Sequence, residues 1–162
     1  MTNASAPSVP PLVVVPVGQP ILDAAAWVGH ACWAELRLHQ VLTDWLAIEA
    51  SPPLVSAFWA VRAHRAELAE AWHRRLPELR EFPRPGFITS SAAGDQGFGD
   101  LNALTNPADG AARVAALAAV LAAMAAHYRE HVGVAVGPAD GPVADTLTWA
   151  LARTESDLAL LS

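Results

Sequence analysis

Apolar residues recur at spacings of three and four in four stretches of the chain, and Pro, Gly, Ser and Asn mark the breaks between them. The first stretch runs from about Pro20 to Ile48, with Val28, Ala31, Cys32, Leu38, Leu42, Trp45 and Leu46 on one face. Pro20 suits a first helical position, and Asp23 in the first turn complements the helix dipole. The second stretch starts at Ser51, a predicted N-cap, followed by Pro52. Phe58, Val61, Leu68, Trp72 and Leu76 form its stripe, and Pro77 predicts a stop near Arg75.

Residues 80–105 are rich in Gly, Pro and Ser and predict a long loop. Loops of this length are uncommon in compact domains and usually serve as crossovers or carry function. Asn106 and Pro107 then predict a cap and first turn, and the third helix continues through Val114, Leu117, Leu121 and Met124 to about Val132. After a tight Gly-rich link, Asp140 is the expected cap of a fourth helix over Gly141 to Leu161, with Leu147, Leu151, Leu158 and Leu161 inward. The expectation is all-α: a four-helix bundle over 20–162 with one long crossover between its second and third helices. That connection makes the second and third helices parallel and each short-linked pair antiparallel. Residues 1–19 read as a disordered, Pro-rich tail.

Composition narrows the chemistry. All 10 basic residues are Arg, so Schiff-base chemistry and the lysine phosphate loop are excluded. The single Cys excludes a disulfide framework and a multi-Cys zinc site. A net charge of -6 argues against a nucleic-acid surface. The first 19 residues carry no basic residue, and their apolar run is broken by Pro16, so neither a secretory signal nor a membrane span is expected. The longest Ala/Leu/Val run, Val114 to Ala126, spans 13 residues and suits a core helix. A cytoplasmic protein with reduced Cys32 is the expectation.

Phasing puts some polar residues on the apolar faces. Glu35 lies seven after Val28 and seven before Leu42; His39 lies seven after Cys32 and seven before Leu46. A buried carboxylate requires a cation, a donor or a metal. Arg65 shares the stripe of Val61, Leu68 and Trp72, with His64 and Glu67 beside it. Since the chain has no Lys, Arg65 is the inward cation expected next to Glu35 where no metal is bound. Glu155 lies between Leu151 and Leu158, and His127 and His131 stand one turn apart near the third helix's end. Glu35 and His39 could share one ion; His127 and His131, with His39 or His64, could form a three-His site. The blander readings are an intrahelical pair buried against Arg65 and a His favoured by the helix C-terminal dipole. Cys32 reads as a small hydrophobe, and off-stripe Trp33 as packing at a subunit contact or under the crossover. The Arg74, Arg75, Arg80 and Arg84 group reads as a solvated helix end, and Gly94, Gly97 and Gly99 lack the strand–Gly–helix context of a nucleotide loop.

The segments ACWAELRLHQVLTDW, AHRAELAEAW and DGPVADTLTWALARTESDL, with this helix rhythm, resemble the ferritin-like superfamily, including small actinobacterial members. That resemblance implies one Glu on each of two helices and a Glu-x-x-His pair on each of the other two, holding two metals. Glu35 matches the first Glu and Glu67 the second-helix Glu, but Glu70 stands three residues on where His is required. Glu155 is followed by Leu158 at that spacing, and the third helix has no mid-height carboxylate. The expectation is a binding, non-catalytic member with an incomplete di-metal site. It would act by binding, as a homodimer with a protein partner or small ligand, and without nucleic acid or membrane. The alternatives are an iron or manganese oxidoreductase drawing on Glu35, His39, His64, Glu67, His127 and Glu155, and a protein similar to DinB-like three-His bundles.

Overall fold

The computed structural model describes residues 18–162, so most of the expected 1–19 tail lies outside the described residues. The described chain is all-helical: α1 Ile21–Leu46, α2 Pro52–Arg75, α3 Ala92–Asn102, α4 Gly110–Val132 and α5 Gly141–Leu160. Short 3-10 turns at Arg84–Phe87, Pro107–Asp109 and Pro138–Asp140 join them, and no strand occurs among the described residues. The four long helices start and stop close to the positions that the punctuation predicts. Two of the expected caps act differently. Ser51 donates its backbone N–H to Glu49 Oε1 at 2.9 Å and makes no side-chain cap bond. Asp140 makes no cap bond to α5; its Oδ2 accepts the Gly137 N–H at 2.9 Å and so closes the preceding link. Asn106 does cap, accepting the Ala108 N–H at 3.0 Å.

The crossover is not the bare loop that its composition predicts, because it contains α3. Ser91 caps this helix by accepting the Gly94 N–H at 3.1 Å, and Asp95 sits in the first turn. Phe98 and Leu101 turn inward at a spacing of three. Three glycines mask the signal, since each costs about 1 kcal/mol of helix propensity relative to Ala. One of them has a packing reason: a Cβ at Gly94 would stand 2.9 Å from the Trp33 ring, so only Gly lets α3 lie this close to α1. Gly29 does the same for the start of the crossover, where a Cβ would meet the Phe87 carbonyl oxygen at 1.9 Å.

α1 packs along α2, and α4 along α5. The start of α4 lies at the α1–α2 link, because Arg113 Nη2 donates to Glu49 Oε2 at 2.6 Å. The start of α1 lies at the end of α4, where Trp27 stacks on His131. Arg75 Nε donates to Thr146 Oγ1 at 3.0 Å and joins the end of α2 to the start of α5. α2 and α4 therefore run parallel, as the long connection requires. α3 lies across the gap between α1 and α4, which meet mainly through side chains. The core between the long helices contains Leu38, Leu42, Phe58, Leu68, Trp72, Leu117, Leu121 and Leu147. One helical stretch, Pro107–Val132, is long and apolar enough by length and composition to cross a membrane. In this fold it supplies Leu117, Leu121 and Tyr128 to the core.

Candidate functional site

The long helices each send a polar side chain to one place in the interior. Glu35 comes from α1, Arg65 from α2, Tyr128 from α4, and Thr154 and Asp157 from α5; each is at most 1% exposed. Arg65 Nη1 donates to Glu35 Oε2 at 3.2 Å and to Thr154 Oγ1 at 3.2 Å. Arg65 Nη2 donates to Asp157 Oδ2. The Tyr128 hydroxyl donates to Glu35 Oε1 at 2.6 Å. A planar guanidinium suits this task, because its fixed fork of donors can face two carboxylates at once.

His64 extends the network toward the surface. Its Nε2 lies 3.1 Å from Arg153 Nη1, and an arginine can only donate, so Nε2 accepts. The ring hydrogen is therefore on Nδ1, which donates to Asp157 Oδ1 at 2.7 Å. Two carboxylates share the one guanidinium; Tyr128 and His64 each add a hydrogen-bond donor to them, and the Thr154 hydroxyl accepts from Arg65. Burial pushes the Glu35 carboxyl above its ordinary range, opposed by Arg65 and by the Tyr128 hydrogen bond. Burial and the neighbouring Glu35 hold the Tyr128 hydroxyl well above the usual tyrosine value, so it remains a donor.

The sequence-predicted residues divide clearly. Glu35 is at the centre, Arg65 stands beside it as expected, and His64 is at the edge. Glu67 is on the surface with its side chain 54% exposed, facing Arg153 at 3.7 Å. Glu155 is also on the surface, and its Oε1 accepts from Arg129 Nη2 at 2.6 Å. Glu35, Glu67 and Glu155 therefore do not converge: each surface Glu lies off the buried face of its helix. His39 lines a separate hollow of about 290 Å³ between α1 and α2, together with Cys32 and His73. Burial and Arg62 hold the His39 imidazole below its ordinary value. Beneath that hollow the Cys32 thiol donates to the Ala69 carbonyl at 3.4 Å and is pushed up to about 11, first by burial and then by Glu35, as befits an inert core thiol.

His127 and His131 do not join His39 or His64. Both stack on Trp27, with ring centroids 5.2 Å and 3.6 Å away. Among the described residues, no group of three or more His, Cys, Asp or Glu side chains is arranged to hold a metal ion. The apolar stripes read from the sequence do not single out Asp157, Tyr128 or Thr154, although a signal is present. Asp157 lies seven after Ala150 and three after Thr154, and Tyr128 lies seven after Leu121 and four after Met124.

Tyr128 also forms the floor of a cleft of about 280 Å³ between α1, α3 and α4. Trp33, Phe98 and Met124 form its walls, and Gly94 and Gly97 keep the α3 side open. Trp33 meets Phe98 edge-on, with centroids 5.2 Å apart and planes at 90°. Off-stripe Trp33 is thus covered by the crossover. His30 and His127 are the imidazoles on the rim. Comparison with known protein families, curated proteins and solved structures finds no match to this chain.

Proposed function

We propose that this chain is a ferritin-like four-helix bundle that works by binding rather than catalysis, with the Arg65 guanidinium in the interior position where relatives of that fold hold metal. Its ligand sits in the cleft between α1, α3 and α4. The observation that carries this reading is the cleft itself: a concave, largely apolar site of about 280 Å³ with a few polar groups at its rim. Its floor, Tyr128, is fixed by its hydrogen bond to Glu35, so this side chain needs no ordering when a ligand arrives. The incomplete set of Glu and His positions in the sequence, and the Arg65 guanidinium between Glu35 and Asp157, support a reading without a carboxylate-held metal pair.

Saturable changes in tryptophan fluorescence on titration with one- and two-ring aromatic probes test this reading. Gly97→Phe is the matching variant, because a Cβ there meets no atom within 4 Å and the added ring can enter the cleft without moving the fold. We expect affinity to fall by about tenfold or more in that variant, as filling a pocket removes the apolar contact area on which binding rests. Equal affinity in Gly97→Phe and the parent would overturn the assignment of the cleft.

A further inference from the structure

α3 forms one side of the cleft, and it is lightly held. Of its 11 residues only Phe98 and Leu101 are buried, against five or more in each long helix. Isolated helices shorter than about 12 residues are marginal in water even when rich in Ala, so α3 depends on those two side chains for its place. Among the described residues, the hydrogen bonds of 90–105 stay within that segment, and none reaches α1 or α4. The chain is pinned on either side of it. A Cβ at Gly29 would stand 1.9 Å from the Phe87 carbonyl oxygen, so that end lies directly on α1. At the other end the Asn106 carbonyl accepts from Arg113 Nη1 at 2.7 Å. Irregular backbone at 90–91 and 104–106 joins α3 to the two pins.

The sequence of α3 weakens it further. Each of Gly94, Gly97 and Gly99 lowers the helix–coil equilibrium about fivefold relative to Ala. None has a positive φ, so the backbone does not require Gly at any of them. Gly94 makes room for Trp33, and Gly97 lines the cleft. Gly99 does neither: it is exposed, it does not line the cleft, and a Cβ there meets nothing within 4 Å. It leaves α3 less stable than its packing allows. Ala31 and Tyr128 line the cleft yet are at most 2% exposed. Water barely reaches them, so a ring touches the cleft floor only when α3 lifts.

Resting on the cleft as the ligand site, we infer that α3 is its gate: residues 90–105 open as a unit between the two pins while the four long helices stay folded, and the ligand enters and leaves through that opening. Amide hydrogen exchange and stopped-flow binding of naphthalene, followed by tryptophan fluorescence, test this on the full chain. In the parent, α3 amides should exchange about a hundredfold or more faster than those of Leu38 and Leu42 in α1 and Leu117 and Leu121 in α4, because local opening requires less free energy than global unfolding. Two exposed positions of α3 that do not line the cleft shift the opening in opposite directions. Gly99→Ala should slow α3 exchange about fivefold, and Gln96→Gly should speed it about threefold. Because the ligand passes only through the open state, the association and dissociation rates of naphthalene should fall together in the first variant and rise together in the second by those same factors, with affinity unchanged. Exchange of α3 at the rate of α1 and α4 overturns the gate, since α3 then opens only with the whole fold. Binding rates that stay at the parent values in both variants also overturn it and leave the cleft assignment standing. Failure of naphthalene to bind the parent overturns the cleft assignment and the gate together.

Discussion

Replacing Arg65 with Met will destabilise the protein by about 3–5 kcal/mol, the cost of leaving buried charge without its partner. The side chain is completely buried, and its guanidinium faces both Glu35 and Asp157. Methionine fills similar space but leaves two carboxylates in the interior with only hydroxyl and imidazole donors. Those carboxylates must take up protons or draw water inward, and both outcomes are costly. Tyr128→Phe makes a graded comparison. It removes one hydrogen bond to a charged acceptor while Arg65 remains, so its expected cost is about 1.5–3 kcal/mol. Urea unfolding of the parent and both variants gives the order. If Arg65→Met cost less than Tyr128→Phe, the guanidinium would not be the counter-charge of the core.

Arg113→Met is expected to be the next most damaging change, at about 3 kcal/mol, by the same principle applied nearer the surface. Arg113 is buried at the start of α4. Its Nη2 donates to Glu49 Oε2 at 2.6 Å, and its Nη1 donates to the Asn106 carbonyl at 2.7 Å. It therefore ties the returning crossover to the α1–α2 link. The hydrogen bond from Arg113, followed by that from the Ser51 N–H, holds the Glu49 carboxyl below its ordinary value of 4.5. A depressed carboxyl contributes stability above that ordinary value and loses it as pH falls through the depressed value. Arg113→Met should accordingly show a lower stability at pH 7 and a shallower loss on acidification. An unchanged acid limb would mean that Arg113 does not set the Glu49 ionisation.

The four long helices were legible because each has a strong period and clear punctuation. Pro52, Pro77 and Gly141 mark boundaries within a residue or two of those observed, and Asn106 caps the 3-10 turn that leads into α4. α3 was hidden because Gly94, Gly97 and Gly99 speak against a helix, while at Gly94 the reason for Gly is close packing on Trp33. Glu35 and Arg65 were legible together, since both fall on long apolar stripes and the chain has no Lys to compete for the role. Asp157 was missed because the apolar face of α5 was phased on Leu147, Leu151 and Leu158. The buried face instead runs through Leu147, Ala150, Thr154 and Asp157, a rotation of about 100° at its far end. Glu155 was chosen by that same phasing and lies outside. No local pattern could place His30 beside His127, because they come from α1 and α4, which α2 and the crossover separate in the chain.

The interior cation facing Glu35 and Asp157 is the Arg65 guanidinium, and the proposed binding role predicts that no carboxylate-held metal takes its place. Iron and manganese content tests it most directly, measured on protein expressed with both metals supplied and purified without chelator. Neither metal should approach one atom per chain, and Glu35→Ala should not alter the content. Stoichiometric iron or manganese in the parent, lost in Glu35→Ala, would place a metal rather than Arg65 alone opposite Glu35.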